Sequence, residues 1–467
     1  MLLLVVALPL VFIPSEGDAY ALPKAVVLRG VGLLGAMLFI AHVVVGGSLR
    51  WSPSRWIDIA LACFVALFVL ASITSVDRAQ SFVGEPFQFQ GTVTTLVYVG
   101  AFLAARLSMS TVAGFRSLLV ALAATGALVS LYGVVQSLGI DPFWPGRPDP
   151  RIISTLGQAN DLAAYLDLVL VAVVALAALV SQRRRALLAI VAVMSVVALA
   201  LTYSRGGYLG ALPALGALLL LRPGLRMPRR VSGAPILAGA VVAVALTLPI
   251  AATFGPKIVD RVAAIGDTNE SSARFHQDVW RVGIQIAIDH PWLGTGPETF
   301  PVVFRPYLSE VLPPDRAERL GRFRLESPHN ELIGIAAEEG LPALVAYLAF
   351  LGGCAALAIR RVRATSGTWR TIGIGVLATL ATHLITTTFK TPDTTTSAIF
   401  WILLGSGVGA IEADTRVADT ASPAPAAVSP GRALCCRGWI LPVVARREPC
   451  ASSSPTTPRS SAKASPG

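Results

Sequence analysis

DLAAYLDLVLVAVVALAALVSQRRRALLAIVAVMSVVALALTYSRGG, residues 161–207, decides the fold. It contains two apolar runs, 161–180 and 186–203, each near the roughly 20 residues that a helix needs to cross a hydrocarbon core of about 30 Å. Arg183, Arg184 and Arg185 separate the runs, and Arg205 follows the second. Working outward, further runs of this kind lie at 1–14, 24–47, 56–74, 91–107, 113–137, 207–221, 235–253, 338–359, 370–388 and 396–412. The expectation is an all-α polytopic membrane protein of about twelve transmembrane helices. Composition agrees: of 467 residues 54% are apolar and 14% charged, and the mean hydropathy is +0.67. That is too apolar for a soluble globular protein.

The net charge of +11 sits in short basic clusters between apolar runs, a pattern of membrane orientation and not of nucleic-acid binding. Arg50 and Arg55, Arg106 and Arg116, Arg183 to Arg185, Arg222 to Arg230, and Arg360 to Arg370 fall on alternate connections. These read as cytoplasmic, with both termini on that side. Glu16, Asp18, Asp77, Glu85, Asp141, Asp149 and Asp393 fall on the others, which read as exterior. The first run is short for a span, and Ala19-Tyr20-Ala21 resembles a signal-peptidase site, but no basic residue precedes it, so it reads as a retained helix. Cys63 and Cys354 lie in apolar runs and Cys435, Cys436 and Cys450 near the C-terminus, with neither a disulfide nor a metal-ligand spacing.

The expected organisation is a first part of the bundle at 1–253, a long exterior loop at 254–330, the rest of the bundle at 331–412 and a disordered cytoplasmic tail at 413–467. The tail is rich in Ala, Pro, Ser and Thr; its vicinal cysteines read as solvated and unmodified. A loop of this length is not structureless in a compact protein. Its centre predicts a helix over about 272–289, opened by Ser271 or Ser272 and closed by Pro291. Phe275, Val279, Val282 and Ile286 form an apolar stripe beside a stripe of Arg274, Asp278, Arg281 and Gln285. Such a helix is expected across the outer mouth of the bundle, apolar side down.

Three groups of residues carry candidate chemistry. LTYSRGGYLG, 201–210, puts Arg205 on the exterior side beside Gly206 and Gly207, which suits close approach of an anion; a snorkelling anchor is the bland alternative. Arg274 stands at a helix start, where the free N–H groups and the dipole favour a phosphate. Arg281, seven residues on, shares its face and reads first as a salt-bridge partner of Asp278. SPHNELIGIAAEEG, 327–340, places His329 next to a helix start, with Ser327 as cap and Pro328 at the first turn. The dipole there disfavours a cationic imidazole, and Glu331 or Asn330 is positioned to orient a neutral base. His42 and His383 read as buried hydrogen-bonding residues, and His276 and His290 as part of the loop helix. There is no Asp-x-Asp pair and no histidine cluster, so neither metal nor cofactor is expected.

Together these motifs, with TLGQANDLAAYL at 155–166 and the Arg274–Phe300 block ending HPWLGTGPETF, resemble the O-antigen ligase and Wzy-type polymerase family over roughly residues 1–412. The resemblance implies a GT-C-like fold in the bacterial inner membrane with its site facing the periplasm. It implies transfer of a glycan from undecaprenyl diphosphate to a glycan, lipid or protein acceptor. Arg205 and Arg274 would bind the diphosphate and His329 would activate the acceptor hydroxyl, with Arg281, Asn160 and Asn330 as further substrate-binding residues. Gly157-Gln158-Ala159-Asn160 departs from the Asn-Pro-Asn common in the family. Ligase and polymerase share these motifs. A transporter would instead show repeated halves and interrupted helices meeting at mid-membrane, whereas the unusual polar residues here gather at one surface.

Overall fold

The structure is a computed structural model that describes residues 1–14, 18–45, 54–144, 149–222, 253–263, 265, 267 and 271–421. The span expected at 235–253, Cys435, Cys436 and Cys450, and the His42 side chain lie outside the described residues. Regular structure among the described residues is helical, without strands. The bundle helices are α1 (Leu2–Leu10), α2 (Ala21–Val44), α3 (Arg55–Thr74), α4 (Arg78–Val83), α5 (Thr92–Ser108), α6 (Val112–Ser137), α7 (Ala159–Leu179), α8 (Gln182–Leu201), α9 (Arg205–Gly210) and α10 (Leu212–Leu221). The long loop contributes α11 (Ser271–Asp289), α12 (Phe300–Val311) and α13 (Pro314–Gly321). After it come α14 (Glu331–Glu338), α15 (Leu341–Ala364), α16 (Gly367–Thr387) and α17 (Thr394–Ala421); residues 253–263 are also helical.

Among the described residues, seven helices are long and apolar enough to cross a membrane, in α2, α3, α6, α7, α8, α15 and α17. Physical reasons separate that number from the twelve expected runs. The first run yields only the nine residues of α1, with Pro9 inside it and extended backbone at Val11; at 1.5 Å per residue it is far too short to span. The run at 207–221 belongs to the helical stretch Arg205–Leu221, which is apolar but too short for a span and is marked by a turn at Ala211 before Pro213. α5 is apolar but shorter, and α16 is diluted by Thr, Gly, Arg370 and His383. At the other end, α17 continues to Ala421, so the start of the segment read as a tail is helical.

α17 forms the centre, its apolar window wholly buried. Gly405 and Gly409, four apart on one face, let it meet α5 backbone to backbone. A Cβ would lie 2.3 Å from the Phe102 carbonyl oxygen at the first and 2.1 Å from that of Arg106 at the second. This small-residue spacing replaces the hydrophobic drive that lipid does not supply between helices. Beside it, Arg106 is buried and donates to both carboxylate oxygens of Glu412, at 2.9 and 2.7 Å, and to Asp58. That bidentate geometry compensates the burial of its charge. Arg106 belongs to a connection read as cytoplasmic, and its cluster ties together the ends of α3, α5 and α17.

The loop helix lies where the sequence puts it, Ser271–Asp289 against 272–289, and Val279, Val282 and Ile286 are fully buried. The surface they meet differs from the expectation. They pack with Phe300, Phe304, Leu308, Leu320, Leu325 and Ala337, a core that the loop builds from its own α12 and α13 together with α14. The apolar stripe is therefore covered by protein, not laid over the bundle mouth. Asp278, fully buried, is held by Arg316 of α13 at 2.9 Å.

Candidate functional site

The connections read as exterior converge. A cavity of about 910 Å³ is lined by Asp18 and Lys24 from the start of α2, Phe87 and Gln88 before α5, Trp144 and residues 153–161 before and within α7, and Arg324, Glu326 and His329 from the long loop. Lys390 to Thr394, between α16 and α17, complete it. Of the candidate residues, His329 and Asn160 line this cavity; Arg205, Arg274, Arg281 and Asn330 do not.

His329 sits with φ +53°, a left-handed backbone unusual for a residue with a side chain. Its N–H donates to Ser327 Oγ at 3.0 Å. Its ring Nδ1 lies 2.9 Å from Thr391 Oγ1, which in turn is 2.8 Å from Ser327 Oγ. Two hydroxyls from separate segments thus fix the imidazole. Burial first, and then the neighbouring His276, push its pKa down to about 4, so the ring is neutral as expected. The cause is not the helix dipole invoked from sequence, because the helix begins later.

The cap of α14 is Asn330, not Ser327. Its carboxamide oxygen accepts from Leu332 N and Ile333 N, both at 3.1 Å. Asn330 is committed to that turn and does not orient His329. Neither does Glu331: it faces His383 Nε2 at 2.9 Å and Tyr347 OH at 3.2 Å, inside the bundle. His383 is the buried, bonded histidine expected, stacked on Phe400. Orientation of His329 falls to Thr391, which sequence reading missed; a hydroxyl 62 residues away leaves no local signal.

Arg205 opens α9 behind the Ser204 cap, which accepts from Gly207 N at 3.2 Å. Its charge acts on His276, whose pKa is lowered by burial and then by Arg205. The His276 ring lies 5.9 Å from that of His329, so Arg205, His276 and His329 form one neighbourhood. Gly206 and Gly207 do not leave room for an anion. A Cβ at Gly206 would come within 3.0 Å of Phe389 and one at Gly207 within 2.5 Å of Ala163; both glycines are spent on packing. Arg274 is exposed on the first turn of α11, one residue before Phe275, whose ring is 5.6 Å from His329. Arg281 pairs with Asp278 at 3.5 Å, the salt bridge read from spacing. His276 was passed over as loop helix. Its signal was its place two residues after Arg274, on a different face.

Asn160 Oδ1 accepts from Arg151 Nη2 at 2.7 Å, and Arg151 Nε donates to the Thr202 carbonyl at 2.8 Å. Arg151 thereby ties the start of α7 to the segment carrying Arg205. Deeper in the cavity, Lys390 meets Asp393 and, at 3.2 Å, Asp161. Burial opposes the Lys390 charge, but the two carboxylates outweigh it and hold the ammonium above its ordinary value. Lys24 donates to the Val11 and Thr155 carbonyls at 2.6 and 2.7 Å. The GTGPETF block is a structural lock. Ser81 Oγ donates to the Pro297 carbonyl at 2.8 Å, and Glu298 accepts from Glu85 N at 3.0 Å, fixing the 84–90 connection to the long loop. Burial, and then Glu338, raise the Glu298 pKa to about 8.

These features define a polytopic helical membrane protein with a polar cavity, a positioned neutral imidazole and arginines close by. Residues 190–348, about a third of the chain, match the Wzy_C family model, described as O-antigen ligase. The segment contains Arg205, Arg274 and His329, and the match supports the resemblance read from the motifs. No curated protein matches the chain significantly.

Proposed function

We propose that the chain transfers a glycan from undecaprenyl diphosphate to an acceptor hydroxyl at the outer face of the bacterial inner membrane. The observation that carries this reading is His329, a neutral imidazole on the wall of the large cavity, with Arg205 acting on the histidine beside it. In the proposed step the acceptor O–H proton passes to His329 Nε2 as the acceptor oxygen bonds to the anomeric carbon. The bond from that carbon to the diphosphate oxygen breaks, undecaprenyl diphosphate leaves, and the configuration inverts.

A diphosphate is a competent leaving group that needs stabilisation of growing negative charge. Arg205 and Arg274 supply this by charge-assisted bonds of about 1.5–3 kcal/mol each, without requiring a metal. A positioned base adds roughly 10²–10⁴ in rate. The polymerase reading, glycan repeat onto glycan repeat, uses the same residues. Reconstitution in vesicles with an undecaprenyl-diphosphate glycan and candidate acceptors, followed by mass analysis, tests the assignment. Glycan on a second molecule identifies a ligase and lengthened lipid-linked chains a polymerase. Intact donor under all conditions refutes both.

A further inference from the structure

The diphosphate chemistry does not account for the cavity. Its lining holds four carboxylates against three cations, and the two buried lysines are engaged, Lys390 by Asp161 and Asp393, Lys24 by two carbonyls. The third cation, Arg324, pairs with Glu85, so an anion entering there meets no cation without a partner. Among the residues that line the cavity, Gln88 and Trp144 carry buried side-chain atoms with no hydrogen-bond partner: the Gln88 carbonyl oxygen, an acceptor, and Trp144 Nε1, a donor. Gln88 is 7% exposed, and its amide nitrogen is held by Glu326 at 2.9 Å, so the orphaned oxygen is fixed in place. Leaving such groups unpaired is costly. Trp144 is also held, its backbone N–H donating to Asp141 Oδ1 at 3.1 Å and its ring 6.3 Å from that of Tyr20, which lines the same cavity.

An isolated donor, an isolated acceptor, aromatic faces and paired carboxylates in a cavity of about 910 Å³ match a ligand whose groups both donate and accept and whose rings present C–H faces. We propose that this cavity is a saccharide subsite, in which Gln88 and Trp144 bind hydroxyls of the acceptor sugar next to His329. The proposal deepens, and rests on, the glycan-transfer reading. Both residues lie outside the matched segment 190–348.

The test is saturation-transfer NMR on the full chain in lipid nanodiscs, with maltotetraose, chitotriose and mannotriose as neutral probes and inorganic pyrophosphate as the anionic one. Trp144→Phe keeps an aromatic ring, and Gln88→Leu keeps the volume. The expected result is binding of at least one oligosaccharide that each substitution weakens by about fivefold or more, with no displacement by pyrophosphate. Thermal melts establish that the variants fold. Absence of binding by all three probes, binding indifferent to both folded variants, or displacement by pyrophosphate overturns the subsite. Because binding is read without turnover, a wild type that binds sugar yet transfers none sinks the proposed function alone. A wild type that transfers glycan with a KM for the acceptor unchanged in both variants sinks the subsite alone.

Discussion

Replacing Thr391 with valine removes one oxygen and leaves nearly the same shape. That oxygen lies 2.9 Å from His329 Nδ1 and 2.8 Å from Ser327 Oγ. Ser327 keeps a second partner in the His329 N–H, but the ring nitrogen is left facing a methyl group. An unsatisfied buried polar atom costs about 1–3 kcal/mol. If the cost falls on the alignment of the base, each 1.36 kcal/mol is tenfold, so turnover drops by about five- to one-hundred-and-fifty-fold. Thr391→Ser retains the oxygen and should remain within about threefold of wild type, a loss below 0.7 kcal/mol on the same scale. The assay is initial turnover in proteoliposomes at saturating donor and acceptor, with the melting temperature of each variant measured in parallel. A folded valine variant turning over at the wild-type rate would refute the claim that Thr391 sets the imidazole.

Arg205→Lys preserves the charge but not the planar fork, and a loss of about tenfold or more in turnover is expected; near-normal turnover would make Arg205 a simple anchor. The pH profile carries a sign: with the His329 pKa near 4, kcat/KM should hold level down to about pH 5 and fall below pH 4 as the base protonates. Bound diphosphate opposes the effect of His276, so the acid limb of kcat should lie at higher pH; a kcat/KM limb near the ordinary histidine value would contradict the burial argument. Gly157 has φ +93°, and a Cβ there would lie 2.5 Å from the Tyr20 ring. Gly157→Ala should therefore destabilise by about 1–3 kcal/mol, read as a lowered melting temperature.

What the sequence revealed was periodic or local. The apolar runs at 161–180 and 186–203 are α7 and α8, offset by a few residues. The stripe Val279, Val282, Ile286 is the buried face of α11, and the Arg281–Asp278 pair follows from a spacing of three. Legibility ended where partners are distant. The cavity that holds His329 is lined by connections far apart in the chain, from Asp18 to Thr394, and periodicity does not say that Thr391 or His276 meets the imidazole or that Gln88 lines the same cavity. The α14 cap was misplaced because Ser327 followed by Pro328 reads as a helix start, and only the backbone shows that Asn330 takes that role. The glycines after Arg205 were read toward a ligand because a sequence does not show that Ala163 and Phe389 occupy the space. Lys24 and Lys390 stood in plain view at the edges of apolar runs, where buried charge signals a partner, but the carbonyls that hold Lys24 belong to Val11 and Thr155, and Asp161, one of the two carboxylates on Lys390, lies in α7.

The central claim is that His329 takes the acceptor proton. It is tested most directly by His329→Ala in the reconstituted transfer, with insertion and melting temperature matched to wild type. The account predicts that this folded variant binds donor and acceptor but forms new glycoside at least about a hundredfold more slowly. Substantial product from it at the wild-type rate would contradict the account.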